Sequence, residues 1–379
     1  MNEVLKHNLH KTKESKILSL DGGGLRGILT LGILKKLESE IRTSLGSEIR
    51  LCDYFDVIGG TSTGSIIASG LAIGKSVDEM IHLYRSLGAK IFRKGLIGTW
   101  TRDWKTLRAF FRENYSSKKL EKYLRSSEAF GDIPIGDESR IYCGLVINTK
   151  RADTYSLWSI ANHPAGKYYA PNRELKLWEL CKASSSAPYY FKPTPLDIKT
   201  RRGKNITTAF IDGGVSLANN PAWQLFLVAT VPSFGFNREV GEKNISIISL
   251  GTGKGLRRKD PKKLMNKLAV SWAPSIPDLF MADALEMNQT IISSFGKNVG
   301  SEDYIDSQFG NMNDVDYIEN KLFSFQRYNV EFNREFLASL GINLAEKEIE
   351  SLQEMDRVEN LDILLDIGIK YSGNIEFKL

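Results

Sequence analysis

Gly60-Thr-Ser-Thr-Gly64 has the G-x-S-x-G spacing of a nucleophile elbow, and it falls between an apolar strand and a helical pattern. A serine on so sharp a turn is lifted clear of a sheet, at the positive end of the helix that follows, where developing negative charge is favoured. Side chains two positions either side would collide with the strand and helix, hence Gly60 and Gly64. A chance match in a Gly/Ser-rich loop is the competing reading, and the strand-to-helix context argues for a nucleophile, Ser62. Asp21-Gly-Gly-Gly-Leu-Arg-Gly27 follows the first strand and opens the first helix. Gly22, Gly24 and Gly27 satisfy G-x-G-x-x-G, but a dinucleotide fold wants an acidic residue ending the second strand, which here ends in glycines, threonine and serine. No Gly-Lys-Ser/Thr follows at the Walker spacing either. What remains is a nest of backbone N–H donors suited to an oxyanion. Arg26 adds positive charge toward an anion, or pairs within the protein.

A serine nucleophile needs a base, and the usual partner is histidine. The chain has four: His7 and His10 in a polar N-terminus expected to fray, His82 in the middle of a helix, and His163 in a loop before Pro164. Only His163 is a serious candidate, so the familiar triad is poorly supported. Asp212, in Phe210-Ile-Asp-Gly-Gly214, ends an apolar strand ahead of two glycines. A partly desolvated carboxylate there could take the Ser62 proton directly, and an Asp-Gly turn signal is the alternative.

The elements that must hold these residues follow a βαβ rhythm. Lys16–Leu20 and Phe55–Gly59 read as strands, Ile28–Ile41 and Ser65–Ile73 as helices. Further strands are expected at Arg140–Ile147, Thr154–Trp158, Thr207–Ile211 and Asn244–Leu250. Further helices are expected at Val77–Ala89, Leu175–Ser185, Pro221–Thr230 and Leu279–Ser294. This pattern implies an α/β fold with a mainly parallel central sheet and helices on both faces. With 379 residues, 42% hydrophobic and 25% charged, the chain is ordinary globular material, which excludes disorder, collagen-like repeats and disulfide scaffolds. Three cysteines suit a reducing compartment. Nothing resembles a signal peptide or a membrane-spanning stretch, so a soluble cytoplasmic protein is expected. No His/Cys/carboxylate cluster points to a metal, and no cofactor is expected.

Taken together, these motifs resemble the patatin-like phospholipase family. Asp21–Gly27 resembles its oxyanion loop, Gly60–Gly64 its elbow, and Ala183-Ser-Ser-Ser-Ala-Pro-Tyr-Tyr-Phe191 its Ser/Ala-Pro block. Asp212-Gly-Gly214 is similar to its Asp-Gly-Gly block, and Ser249-Leu-Gly-Thr-Gly253 to another stretch common in the family. The resemblance implies a Ser62–Asp212 dyad without histidine. It also implies an oxyanion hole around Gly22, Gly23, Gly24, Arg26 and Gly27, and a dyad loop containing Gly213 and Gly214. The activity it implies is hydrolysis of acyl esters in glycerophospholipids through an acyl-enzyme. The expected organisation is a catalytic domain over 14–255 and a helical extension over 256–379, packed on the same domain.

Charge is uneven. Lys90–Arg125 holds eleven basic and three acidic residues, and Ala345–Asp366 holds eight acidic and two basic. The latter reads as one amphipathic helix with a solvated acidic face. In the former, Ile91, Phe92, Trp100, Trp104, Phe110 and Phe111 interleave with Arg93, Lys94, Lys105, Arg108 and Arg112, the composition a peripheral lipase would present to anionic headgroups. A core-packing helix with solvated cations is the other reading. The resemblance also implies a contrasting function, since some bacterial members of the family look like cyclic-nucleotide-activated phospholipase effectors of antiphage systems; Thr200–Lys204 and Lys254–Lys263 would then be phosphate-binding, or else plainly solvated, patches. A net charge of +6 with no reader motif argues against a nucleic-acid partner.

Overall fold

The computed structural model describes residues 1–92, 115–188, 190–200, 203–255, 261–265, 272, 276–300 and 304–379. Arg93, Lys94, Trp100, Arg102, Trp104, Lys105, Arg108, Phe110, Phe111 and Arg112 therefore lie outside the described residues, as do Arg201, Arg202 and the stretch 256–260.

The strands are β1 (Ser15–Leu20), β2 (Val57–Thr61), β3 (Gly144–Arg151), β4 (Leu157–Ala161), β5 (Thr194–Lys199), β6 (Asn205–Asp212), β7 (Ile245–Leu250), β8 (Gly296–Asn298) and β9 (Phe323–Tyr328). Among the described residues they form one nine-stranded sheet in the order β5-β6-β3-β2-β1-β7-β9-β8, with β4 also pairing β3. From β3 to β8 every neighbouring pair is parallel; β4, β5 and β6 run antiparallel at one side. The sheet is thus mixed but mostly parallel, as the βαβ rhythm predicts.

Among the described residues, the helices of eight or more residues are α1 (Glu3–His10), α2 (Gly27–Leu45), α3 (Thr63–Ala72), α4 (Val77–Leu87), α5 (Ser117–Leu124), α6 (Leu177–Ser184), α7 (Ala222–Thr230), α8 (Ile276–Phe295) and α9 (Leu361–Gly373). They bury two apolar clusters against the sheet. In β1, Ile17 packs with Leu5, Leu9, Leu225 and Phe226, whereas Leu18 and Leu20 pack with Ile28, Leu31 and Ile67. That alternation is a strand buried on both faces.

Several sequence expectations are corrected. The N-terminus is not frayed. Asn2 caps α1 by accepting from the Leu5 N–H at 2.8 Å, and Leu5 and Leu9, one turn apart, are buried. β3 starts at Gly144 because Asp137 holds Arg140 in a turn, and β4 starts only after Tyr155, whose φ of 56° makes the hairpin bend. The acidic C-terminal stretch is not one helix: Glu346–Leu352 and α9 are separated by an irregular segment around Gln353–Arg357. Residues after 255, expected as a helical extension, supply β8 and β9 as well as helices, and α9 packs along α2.

Candidate active site

The parallel strands β1 and β2 end side by side, with Leu20 opposite Gly60, and both chains turn there into helices. This is the carboxyl-end crevice where open α/β sheets bind ligands. Ser62 occupies the β2-to-α3 turn at φ 53° and ψ −123°, a conformation costly for a residue with a side chain. The glycines permit it. A Cβ on Gly60 would strike the Gly64 backbone, and one on Gly64 would strike the Leu20 carbonyl. The Ser62 N–H donates to Ser184 Oγ at 2.8 Å, and that hydroxyl donates to the Asn148 carbonyl at 2.6 Å.

Asp212 ends β6. Its N–H donates to the Ser186 carbonyl at 3.0 Å, and its Oδ1 accepts from the Gly214 N–H at 2.6 Å. The Ser62 hydroxyl neighbours the Asp212 carboxylate and favours its ionised form. Both side chains are buried. Burial pushes the Asp212 carboxyl up to about 7, against the Gly214 N–H and the Ser62 hydroxyl, which favour the ionised form. The two residues line one apolar cavity of about 60 Å³, walled by Ile66, Leu87, Leu120, Phe191, Met281 and Met355.

The glycine loop sits beside them. Gly22 donates its N–H to the Asn219 carbonyl at 3.0 Å and Leu25 to the Met355 carbonyl at 2.8 Å, while the Gly27 N–H turns back to Gly24 and Leu25. The N–H groups of Gly23 and Gly24 have no partner among the described residues. Those of Gly22 and Gly27, expected in the oxyanion nest, are spent on the backbone. Arg26 donates to the carbonyls of Gly23 and Gly253, at 3.4 and 3.3 Å, so it ties loops together.

The histidines fall elsewhere. His163 Nε2 lies 3.3 Å from the Leu9 carbonyl, its ring stacks edge-on with Phe236, and burial lowers its pKa. His82 is on the exposed side of α4, and His7 and His10 belong to α1. Burial pushes the thiols of Cys52 and Cys181 up to about 12, leaving them protonated at neutral pH. Among the described residues no three His, Cys, Asp or Glu side chains gather to hold a metal, and no helix is long and apolar enough to cross a membrane.

Sequence reading missed four contributors. Ser184 lies in the quoted Ala183–Phe191 block, but nothing in the block says that its hydroxyl clamps the elbow. Asn219 and Met355 meet the glycine loop from distant segments. Arg327, on β9, makes a two-pronged ion pair with Asp21 at 2.9 and 2.6 Å, both side chains 1% exposed.

A family model described as patatin-like phospholipase matches residues 18–226. Patatin group J-1 of Solanum tuberosum is 27% identical over 279 residues, covering 68% of this chain and 65% of that protein. Patatin-1-Kuras 2 of the same plant is 28% identical over 258 residues, covering 62% of each. The chain thus spans a little under two thirds of these relatives. Among solved structures, human GIVD cytosolic phospholipase A2 aligns over 97% of this chain and 60% of its own, with a TM-score of 0.46 and 10% identity. VipD from Legionella pneumophila aligns over 93% and 67%, with a TM-score of 0.38 and 12% identity.

Proposed function

The chain belongs to the patatin-like phospholipase family, and from that premise we propose that it is a serine hydrolase of glycerophospholipid acyl esters working through a Ser62–Asp212 dyad. One arrangement carries the reading: a buried carboxylate, its pKa pushed up to about 7 by that burial, lining the same cavity as a hydroxyl on a strained elbow. A base with a pKa near the working pH is the efficient one.

In this mechanism Ser62 Oγ attacks the ester carbonyl while Asp212 takes its proton. The oxyanion is held by the N–H groups of Gly23 and Gly24, with the positive end of α3 beneath the nucleophile. The C–O bond to the alcohol breaks, and the alcohol leaves with the proton from Asp212. Asp212, ionised again, deprotonates a water that attacks the acyl-enzyme, and it returns that proton to Ser62 Oγ as the acyl bond breaks and the fatty acid is freed. The apolar walls of the Ser62 cavity suit an acyl chain and keep stray water from the intermediate.

The test is fluorophosphonate labelling of the wild type beside Ser62→Ala, followed by a lipid panel. Labelling lost in Ser62→Ala, with fatty acid released by the wild type alone, is the expected outcome; labelling that persists moves the nucleophile elsewhere. The same assay with and without added cyclic nucleotide separates constitutive hydrolysis, the expected result, from a gated effector. Docking of the basic, aromatic stretch at an inner membrane face is tested by charge reversal at Arg102, Lys105 and Arg108. Unchanged vesicle binding would end that idea.

A further inference from the structure

The glycine loop beside Ser62 is held at its ends and left open in its middle. The Gly22 carbonyl accepts from Thr252 Oγ1 at 3.0 Å, while the Gly22 and Leu25 N–H groups donate to the Asn219 and Met355 carbonyls. A Cβ on Gly23 would strike the Thr252 side chain, and one on Gly24 the Met355 carbonyl. The direction of the Gly23 and Gly24 N–H groups then depends on the residue from which the loop springs, Asp21.

Asp21 is fixed from two strands away. Arg327 on β9 stands in register with Ser249 on β7, and Ser249 with Ser19 on β1, so two of the three residues in that row are small. Across the row the Arg327 guanidinium reaches the end of β1. There Nη1 and Nη2 donate to the two Asp21 oxygens at 2.9 and 2.6 Å, and Nη1 also donates to Ser249 Oγ at 2.8 Å. Ser249 Oγ in turn donates to Asn220 Oδ1 at 3.4 Å, one residue from the carbonyl that holds Gly22. A planar fork on a carboxylate sets position and orientation together, which a point charge does not. Arg327 lies beyond residues 18–226, the part that the family model matches.

Charge adds a second effect. Asp21 precedes Gly23 by two residues and is buried. An ionised carboxylate there without a counter-charge would oppose negative charge gathering at the loop, because burial leaves little water to screen it. For stability alone a buried ion pair is a poor device, since apolar residues of similar volume often serve as well or better. What the pair supplies here is fixed geometry and local neutrality.

We propose that Arg327 is a positioning residue for ester cleavage: by clamping and neutralising Asp21 it aims the Gly23 and Gly24 N–H groups at the tetrahedral oxyanion. This role rests on the Ser62–Asp212 reading. Arg327 acts through Asp21, so its contribution falls on the transition state. A neutral ester carbonyl asks little of the two N–H groups, whereas a full oxyanion asks for their alignment.

The experiment compares wild type with Asp21→Asn/Arg327→Met, which removes both charges together and so spares the fold, and with Arg327→Lys, which keeps the charge and loses the fork. Thermal melting verifies both folds. Steady-state kinetics on p-nitrophenyl butyrate gives kcat and KM. Butylboronic acid is the second probe: its boron bonds to Ser62 Oγ as a tetrahedral anion while the hydroxyl proton passes to Asp212. In the double variant kcat and boronic acid affinity should fall together by at least tenfold with KM within twofold of wild type, and Arg327→Lys should fall between. Either folded variant with wild-type kcat and boronic acid affinity overturns the role, as does a KM that rises as far as kcat falls. Boronic acid bound equally well by Ser62→Ala removes the nucleophile, and this role with it. Binding lost in Ser62→Ala but kept in both folded variants overturns the role of Arg327 alone.

Discussion

Two carboxylates flank the elbow, both buried, yet their surroundings differ in charge. Asp21 meets a guanidinium: Arg327 grips both its oxygens and also donates to Ser249 Oγ at 2.8 Å. Asp212 meets a peptide N–H and a hydroxyl, both neutral. A buried ion pair holds its charge and its geometry, and losing one member strands the other. A buried carboxylate with neutral partners is left near the balance point between its two protonation states. The first arrangement builds a wall. The second leaves a carboxylate able to take up a proton, and the difference lies in one partner's charge.

Four effects break or sharpen this contrast. The largest effect belongs to Asp212→Asn, which keeps shape and removes basicity: ester turnover falls by ~10³-fold or more with the fold intact by circular dichroism. Near-normal rates there would refute the dyad. Next is Arg327→Met, which strands Asp21 and costs ~3–5 kcal/mol in denaturant unfolding, with most of it regained in Asp21→Asn/Arg327→Met. A single variant as stable as wild type would erase the distinction between the two acids.

The third effect is smaller and opposite in sign. Because the folded-state pKa of Asp212 is raised, the native state holds its proton more tightly than the unfolded chain. That stabilisation is present in acid and lost as pH climbs from about 4 through about 7. Asp212→Asn should therefore unfold later than wild type at pH 8, by up to ~4 kcal/mol, and show no advantage at pH 4, as thermal melts at the two pH values would reveal. In the wild type, kcat/KM should drop tenfold per pH unit below about 7, the pH at which the base protonates. The smallest is Ser184→Ala, which deprives the Ser62 N–H and the Asn148 carbonyl of their shared hydroxyl. It costs ~1–2 kcal/mol and slows turnover severalfold without moving the pH midpoint.

Much of this was legible in the residues because it is local. The elbow, the glycine loop and the strand that ends in Asp212 each declare themselves within seven residues, through glycines that admit close approach and apolar runs that must be buried. β5 also shows strict alternation, with Leu196 and Ile198 inward and Pro195 and Asp197 outward, but the proline masks it until the edge position is known. What was not legible is long-range. Arg327 sits in a strand buried on both faces, where an arginine reads as an error unless its partner, 306 positions earlier, is known. Ser184 and Asn219 act through a hydroxyl and a carbonyl that any small polar residue could offer. Asn2 with Leu5 and Leu9 carries a capped-helix signal that the polar composition around it obscured.

The strand that delivers Arg327 is synthesised 306 positions after the acid it meets. Until it pairs beside β7, the acid at the end of β1 has no counter-charge, and the Met355 carbonyl that fastens the glycine turn has not yet been made. A nascent or prematurely terminated polypeptide thus carries the serine without its finished setting.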